Sequence, residues 1–193
     1  MDTGREVAST GAAEGAGPAG GPLRAAGGLR VLLVAWVVLV AAWPVMPLLV
    51  FADPGALADP AEYLLRHYGF WAAAFLAATL VVSPLAVLVR RGRWSWALRR
   101  QRRFLGLACF GFAAAHFASY WLYAGGWAGL ALEWAKPFIL AGLLALAGLT
   151  LLAITSPKRV AKWLGGRRWR RLHRAVYPVA LLVVYHQVSA DKV

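Results

Sequence analysis

The sequence predicts an all-α protein, a polytopic transmembrane helix bundle of about five spans, and three observations carry that reading. Hydrophobic residues make up 61% of the 193-residue chain, well above an ordinary soluble domain. They gather into runs long enough, at about 1.5 Å of rise per residue, to cross a hydrocarbon core of about 30 Å. The net charge of +13 falls mainly in two loops between those runs. Placed there, it is a topology signal rather than a single basic face for nucleic acid.

Residues 1–28 are rich in Ala and Gly with scattered charge and no apolar run, which predicts a disordered tail ahead of a membrane domain over 29–193. No apolar stretch follows closely behind a basic start, so no cleavable signal peptide is expected. The first span is the apolar run 29–51, interrupted towards its far end by Pro44 and Pro47. These prolines should kink it unless neighbouring groups or water satisfy the carbonyls they free. The loop that follows is acidic and turn-rich, with Asp53-Pro54-Gly55 and Asp59-Pro60. Asp59 ahead of Pro60 and Glu62 has the pattern of a helix start, predicting a short interfacial helix over 60–67.

A second span covers 70–89, with Ser83-Pro84 inside it, and runs into a loop carrying seven arginines between Arg90 and Arg103. The third span, 104–123, carries His116 and ends in Tyr120, Trp121 and Tyr123, as a membrane-interface belt would. A fourth covers 134–154 and is followed by the second basic stretch, TSPKRVAKWLGGRRWRRLHR. The fifth begins near His173 and fades by Val188. The basic stretches join spans two to three and four to five. The other two loops hold Asp53, Asp59, Glu62 and Glu133 against Arg66 and Lys136. By the positive-inside rule the N-terminus is cytoplasmic and the acidic loops lie outside. The chain has one cysteine, which rules out an intramolecular disulfide and a CxxC-type redox or metal motif.

Ionisable side chains inside a span are costly and mark functional sites. His116 lies about 18 Å up the third span, and His186 about 20 Å up the fifth from His173, running in the same direction. The two imidazoles are therefore expected at similar depth. Two imidazoles from facing helices can hold a haem in a bundle core without adding protein charge. Zinc fits less well, because the span interiors offer no carboxylate or close second histidine to complete a tetrahedral set. The alternative for either histidine is a simple hydrogen bond across helices. His173 sits among arginines, roughly 140° around the helix from His186, so the two do not share a stripe. The arginines there suit anionic groups such as haem propionates, a flavin phosphate or lipid headgroups, besides setting topology. Cys109 is expected as a small buried residue and His67 as a solvated or capping group. Trp94, Trp96, Trp163 and Trp169 read as interface anchors.

The stretch RRFLGLACFGFAAAHFASY (102–120), followed by ITSPKRVAKWLGGRRWRRLHRAVYPVALLVVYH (154–186), resembles the MsrQ (YedZ) family. This is the haem-binding membrane subunit of the bacterial methionine sulfoxide reductase system, within the ferric-reductase-like transmembrane group. GALADPAEYLLRHYGFWA and LVVSPLAVL also fit its pattern, so the resemblance covers roughly residues 50–188. The resemblance implies a multi-pass protein of the bacterial inner membrane, an electron-transfer subunit that does not itself reduce methionine sulfoxide. It would carry haem b, one or two, with His116, His173 and His186 as the ligands carried over. Its electrons would come from the quinone pool or a cytosolic flavin reductase and go to a periplasmic molybdopterin reductase of the MsrP type. FMN and quinone are the further cofactors implied. The family continues into a sixth helix, whereas this sequence closes with QVSADKV. Two alternatives stand beside this reading: a ferric-reductase-like or quinone-oxidising cytochrome b with another acceptor, and a non-haem membrane scaffold or small transporter.

Overall fold

A computed structural model describes residues 21–88 and 93–190, with backbone only at 21–26, 83, 86, 87, 93–96 and 98. Of the tail expected over 1–28, residues 1–20 lie outside what it describes, as do Arg90, Arg91 and the side chains of Trp94 and Trp96. Among the described residues every regular element is helical: α1 (Gly21–Ala42), α2 (Pro54–Ala58), α3 (Pro60–Leu88), α4 (Arg93–Tyr123), α5 (Trp127–Glu133), α6 (Pro137–Ile154), α7 (Lys158–Leu164), α8 (Gly166–His173) and α9 (Val176–Ala190). One π-helical turn, Met46–Val50, lies between α1 and α2. The all-α bundle is as expected.

Among the described residues three helices are long and apolar enough to cross a membrane, over Pro60–Val82, Arg99–Tyr123 and Pro137–Ile154. Helix α1 contributes a shorter apolar stretch, Gly27–Ala42. Helix α9 has 15 residues, about 22 Å of rise. Only 22–28% of each long span is buried within the protein. The remainder, including Phe70, Leu122 and Ile154, each at least 60% exposed, has the apolar character of a lipid-facing surface. Buried hydroxyls follow the same logic. Thr79, Ser119 and Thr155 each donate to the carbonyl four residues back, at 2.7–3.0 Å, so none of these three hydroxyl hydrogens is left bare among apolar groups.

Element boundaries depart from the expected ones in three places, the first being α1, which begins at Gly21 rather than at 29. The short helix over 60–67 is not separate, because α3 runs unbroken from Pro60 to Leu88. Nothing in His67-Tyr68-Gly69-Phe70 breaks a helix, and one interior glycine costs only about 1 kcal/mol. The arginine-rich stretch before span three is also helical, since Arg, Leu and Ala are good helix formers and α4 begins at Arg93.

Pro44 has no N–H to give to the carbonyl of Val40 one turn earlier. His67 of α3 supplies the missing donor: its Nε2–H donates to Val40 O at 2.8 Å, and Tyr68 Oη donates to Ala41 O at 3.3 Å. Pro44 itself is fully buried. His67 is thus a structural staple for a proline-broken helix, in line with the capping role expected of it. His67→Ala should destabilise the protein by about 1–3 kcal/mol, the cost of a buried carbonyl left bare. In a Pro44→Ala background, where residue 44 can donate, that cost should shrink, as measured by unfolding in detergent.

The core lies between α3, α4, α6 and α9, with α1 packed on α4. Phe75, Leu76, Cys109, Phe112, Ala145, Leu149 and Val179 form its centre. Glycines at positive φ, Gly125 (78°) and Gly126 (86°), make the tight turn from α4 into α5.

Candidate functional site

Between α3, α4, α6 and α9 lies a cavity of about 640 Å³, within the range of pockets that hold small cofactors. Its wall is largely apolar, with Leu76, Cys109, Ala113, Ala145 and Leu149 among its residues. His116 of α4 and His186 of α9 both line it, with ring centroids 5.9 Å apart and planes at 80°. They are 70 positions apart in the chain, and the packing of α4 and α9 around α6 brings them together.

Each ring is tied through the same atom. His116 Nδ1 donates to Leu65 O at 2.9 Å, and His186 Nδ1 donates to Phe138 O at 2.7 Å. A carbonyl can only accept, so in both neutral rings the proton sits on Nδ1 and Nε2 keeps its lone pair. This is the arrangement in which proteins present an imidazole to a metal, with one nitrogen held by the backbone and the other left basic. A centroid separation of 5.9 Å is close to two metal–nitrogen bonds of about 2 Å plus the two half-rings. The donor set therefore fits an iron-centred group that His116 and His186 would hold in an apolar surround.

Each ring also brings its Nδ1–Cε1 edge close against a glycine. A Cβ at Gly69 would stand 2.7 Å from His116 Nδ1, and one at Gly142 would stand 2.9 Å from His186 Nδ1. Neither glycine stands out from the others in the sequence. An isolated glycine inside an apolar helix, which can mark close approach, was the available signal.

His173 is elsewhere. It is absent from the cavity wall, ends α8, and stacks on Trp169 with centroids 4.1 Å apart. Its Nε2 lies 3.3 Å from Thr155 Oγ1, and Trp169 Nε1 donates to Thr155 O at 3.0 Å, tying α8 to the end of α6. Burial, and to a lesser degree the nearby Arg102 guanidinium, hold this imidazole below its usual pKa against an opposing hydrogen bond at Thr155. Cys109 is 1% exposed, as expected of a small buried residue, and among the described residues no three His, Cys, Asp or Glu converge as a metal group.

At the end of the bundle away from the arginines, the cavity wall includes Glu62, Arg66, Tyr120, Glu133 and Lys136. Arg66 pairs with Glu62 at 2.7 Å, and Lys136 Nζ donates to Glu133 Oε1 at 2.7 Å. Tyr120 Oη donates to the other oxygen, Glu133 Oε2, at 2.9 Å. Those two hydrogen bonds, from Lys136 first, hold the Glu133 carboxyl below the usual carboxylate range. Being partly exposed, the pairs organise this end more than they stabilise it.

The fold and site together define a helical membrane protein with two backbone-anchored imidazoles facing each other across an apolar cavity. The chain belongs to the ferric reductase like transmembrane component family, whose sequence model matches residues 68–184. Within that family it is similar to haem-binding subunits MsrQ of protein-methionine-sulfoxide reductases. The subunit from Azospira oryzae is 42% identical over 132 residues, covering 67% of this chain and 55% of that one. The subunit from Klebsiella pneumoniae subsp. pneumoniae is 40% identical over 140 residues, covering 70% and 67%. The magnetosome protein MamZ of Paramagnetospirillum magneticum is 33% identical over 153 residues, covering 72% of this chain and 22% of that protein. The chain spans 55–59% of the length of the Azospira oryzae and Herminiimonas arsenicoxydans MsrQ subunits. No solved structure matches.

Proposed function

We propose that this chain is a b-type haem electron-transfer subunit of the bacterial inner membrane, in which His116 and His186 would hold the haem iron. The observation that carries the proposal is the facing of these two imidazoles across the cavity, each with Nδ1 committed to a backbone carbonyl. When bound, haem supplies one-electron transfer between ferric and ferrous iron. The protein's own residues do the rest. Leu65 and Phe138 carbonyls orient the rings and raise the basicity of Nε2. Leu76, Ala145 and Leu149 keep water from the site, and α4 and α9 fix the spacing.

Similarity to subunits named for methionine sulfoxide reductase supports a role in that system. In this reading electrons enter at the arginine-rich, cytoplasmic end from the quinone pool or a flavin reductase. They leave at the end bearing Glu62 and Glu133, towards a periplasmic molybdopterin reductase of the MsrP type. The N-terminus is then cytoplasmic. His173, tied to Thr155 and Trp169 at the basic end, is an inner ligand or an anchor there, and the arginines around it suit FMN phosphate or lipid headgroups. A second reading, the same cytochrome serving another acceptor, draws on the match to part of a longer magnetosome protein.

The test is the visible spectrum of the purified chain, expressed with adequate haem and reduced with dithionite. A b-type α band is expected, and a colourless protein from membranes and from detergent alike would overturn the proposal.

A further inference from the structure

We propose that Gly69 and Gly142 are positioning residues that set the tautomer and ring plane of the two facing imidazoles. The inference rests on the haem reading above and concerns residues that touch the histidines rather than the iron. The site is built from two copies of one device. His116 on α4 lies against Gly69 of α3, and His186 on α9 lies against Gly142 of α6. In each copy the ring's Nδ1 donates to the carbonyl four residues before the glycine, Leu65 in one and Phe138 in the other.

The spacing has a physical cause. In an α-helix the carbonyl of residue i accepts from the N–H of residue i+4, so Leu65 O and Phe138 O already serve Gly69 and Gly142. The imidazole must take the carbonyl's second lone pair, and that brings the ring against residue i+4. Any side chain there stands in its path. A Cβ at Gly69 would meet His116 Nδ1 at 2.7 Å and Cε1 at 2.9 Å, and a Cβ at Gly142 would meet both Nδ1 and Cε1 of His186 at 2.9 Å. Carbon and ring atoms do not approach so closely, so the ring would have to swing off its carbonyl. It would then lose the bond that fixes the proton on Nδ1 and the angle at which Nε2 faces the cavity.

Helix propensity alone argues against glycine at both places, since alanine is the better helix former. The same helices also supply controls. Gly111 of α4 has open space where a Cβ would sit, and a Cβ at Gly148 of α6 would clash with Val179 of α9 rather than with a histidine, which makes it a packing control.

The test compares Gly69→Ala, Gly142→Ala, Gly111→Ala and Gly148→Ala with wild type in the full chain reconstituted in nanodiscs. Haem is titrated into the apoprotein, and the ferric low-spin electron paramagnetic resonance spectrum is recorded. The relative angle of two axial imidazole planes, 80° between these rings, governs the anisotropy of that spectrum. Gly69→Ala and Gly142→Ala should each weaken haem binding about 10–100-fold, the usual cost of losing an outer-shell partner, and shift the g values. Gly111→Ala and Gly148→Ala should keep the wild-type g values. Unchanged affinity and g values in Gly69→Ala or Gly142→Ala would overturn the inference, as would an equal g shift in Gly148→Ala, which would make it a packing effect. If Gly69→Ala does not fold, it is placed in a His116→Gly background, where the ring is absent. Folding of that double variant as well as His116→Gly alone supports the clash, and its failure refutes it. Wild type that binds no haem overturns the functional reading and this inference with it, whereas haem-replete wild type with indifferent alanine variants overturns this inference alone.

Discussion

His116→Ala and His186→Ala should each strip the protein of most of its haem, with binding weakened by at least about 100-fold. In the proposed site each ring would supply one bond to the iron, and the cavity wall offers no substitute of comparable strength. Of its other polar residues, Glu62, Arg66, Tyr120, Glu133 and Lys136 are engaged with one another at the bundle end, and Tyr123 and Gln187 complete the set. Cys109 is buried among apolar neighbours two turns along α4 from His116. The fold should survive either substitution, because both histidines are only partly buried and hydrogen-bond to carbonyls that also serve their own helices. His67→Ala makes the opposite comparison, lowering stability while haem content per folded molecule stays at the wild-type level. Pyridine haemochrome content against folded protein distinguishes the two classes of histidine. Full haem retention in His116→Ala or His186→Ala would remove the proposed pair.

Ala113→Trp should abolish haem binding while leaving both histidines in place. Ala113 lies three residues before His116, on the same face of α4, and borders the cavity. An indole there would take up space between the helices that the porphyrin needs. Overpacking typically costs about 1–3 kcal/mol where the core is already full, and less where a void receives the new atoms. The expected result is a folded, colourless protein, checked by circular dichroism and visible absorbance on one sample. A variant with normal haem would place the cofactor outside this cavity.

Much of the fold was legible in the sequence because lipid imposes a simple rule. Apolar runs separated by arginine-rich and acidic stretches give the helices, and α3, α4 and α6 lie where the runs at 70–89, 104–123 and 134–154 placed them. The pairing of His116 with His186 followed from depth alone, since helices running the same way carry residues of equal rise to equal height. The boundaries were less legible. Asp59-Pro60-Ala61-Glu62 marks a helix start correctly, yet nothing in those residues says that the helix continues into the span.

The anchoring of the rings was not legible either. Leu65 and Phe138 act through their carbonyls, which any residue type provides, so no side chain advertises them. Gly69 and Gly142 are two among 20 glycines, and only the register of α3 on α4 and of α6 on α9 selects them. His67 illustrates the same limit. Its chemistry resembles that of the other histidines, and what separates it is the Pro44 gap that α1 brings to its Nε2.

The central claim is that one iron is held between His116 and His186. Near-infrared magnetic circular dichroism of the ferric protein tests it most directly, because the charge-transfer band reports the axial pair. The account predicts a six-coordinate, low-spin haem with bis-imidazole ligation, present in wild type and lost in both His116→Ala and His186→Ala. A five-coordinate high-spin haem in wild type, or a bis-imidazole band that survives either substitution, would contradict it.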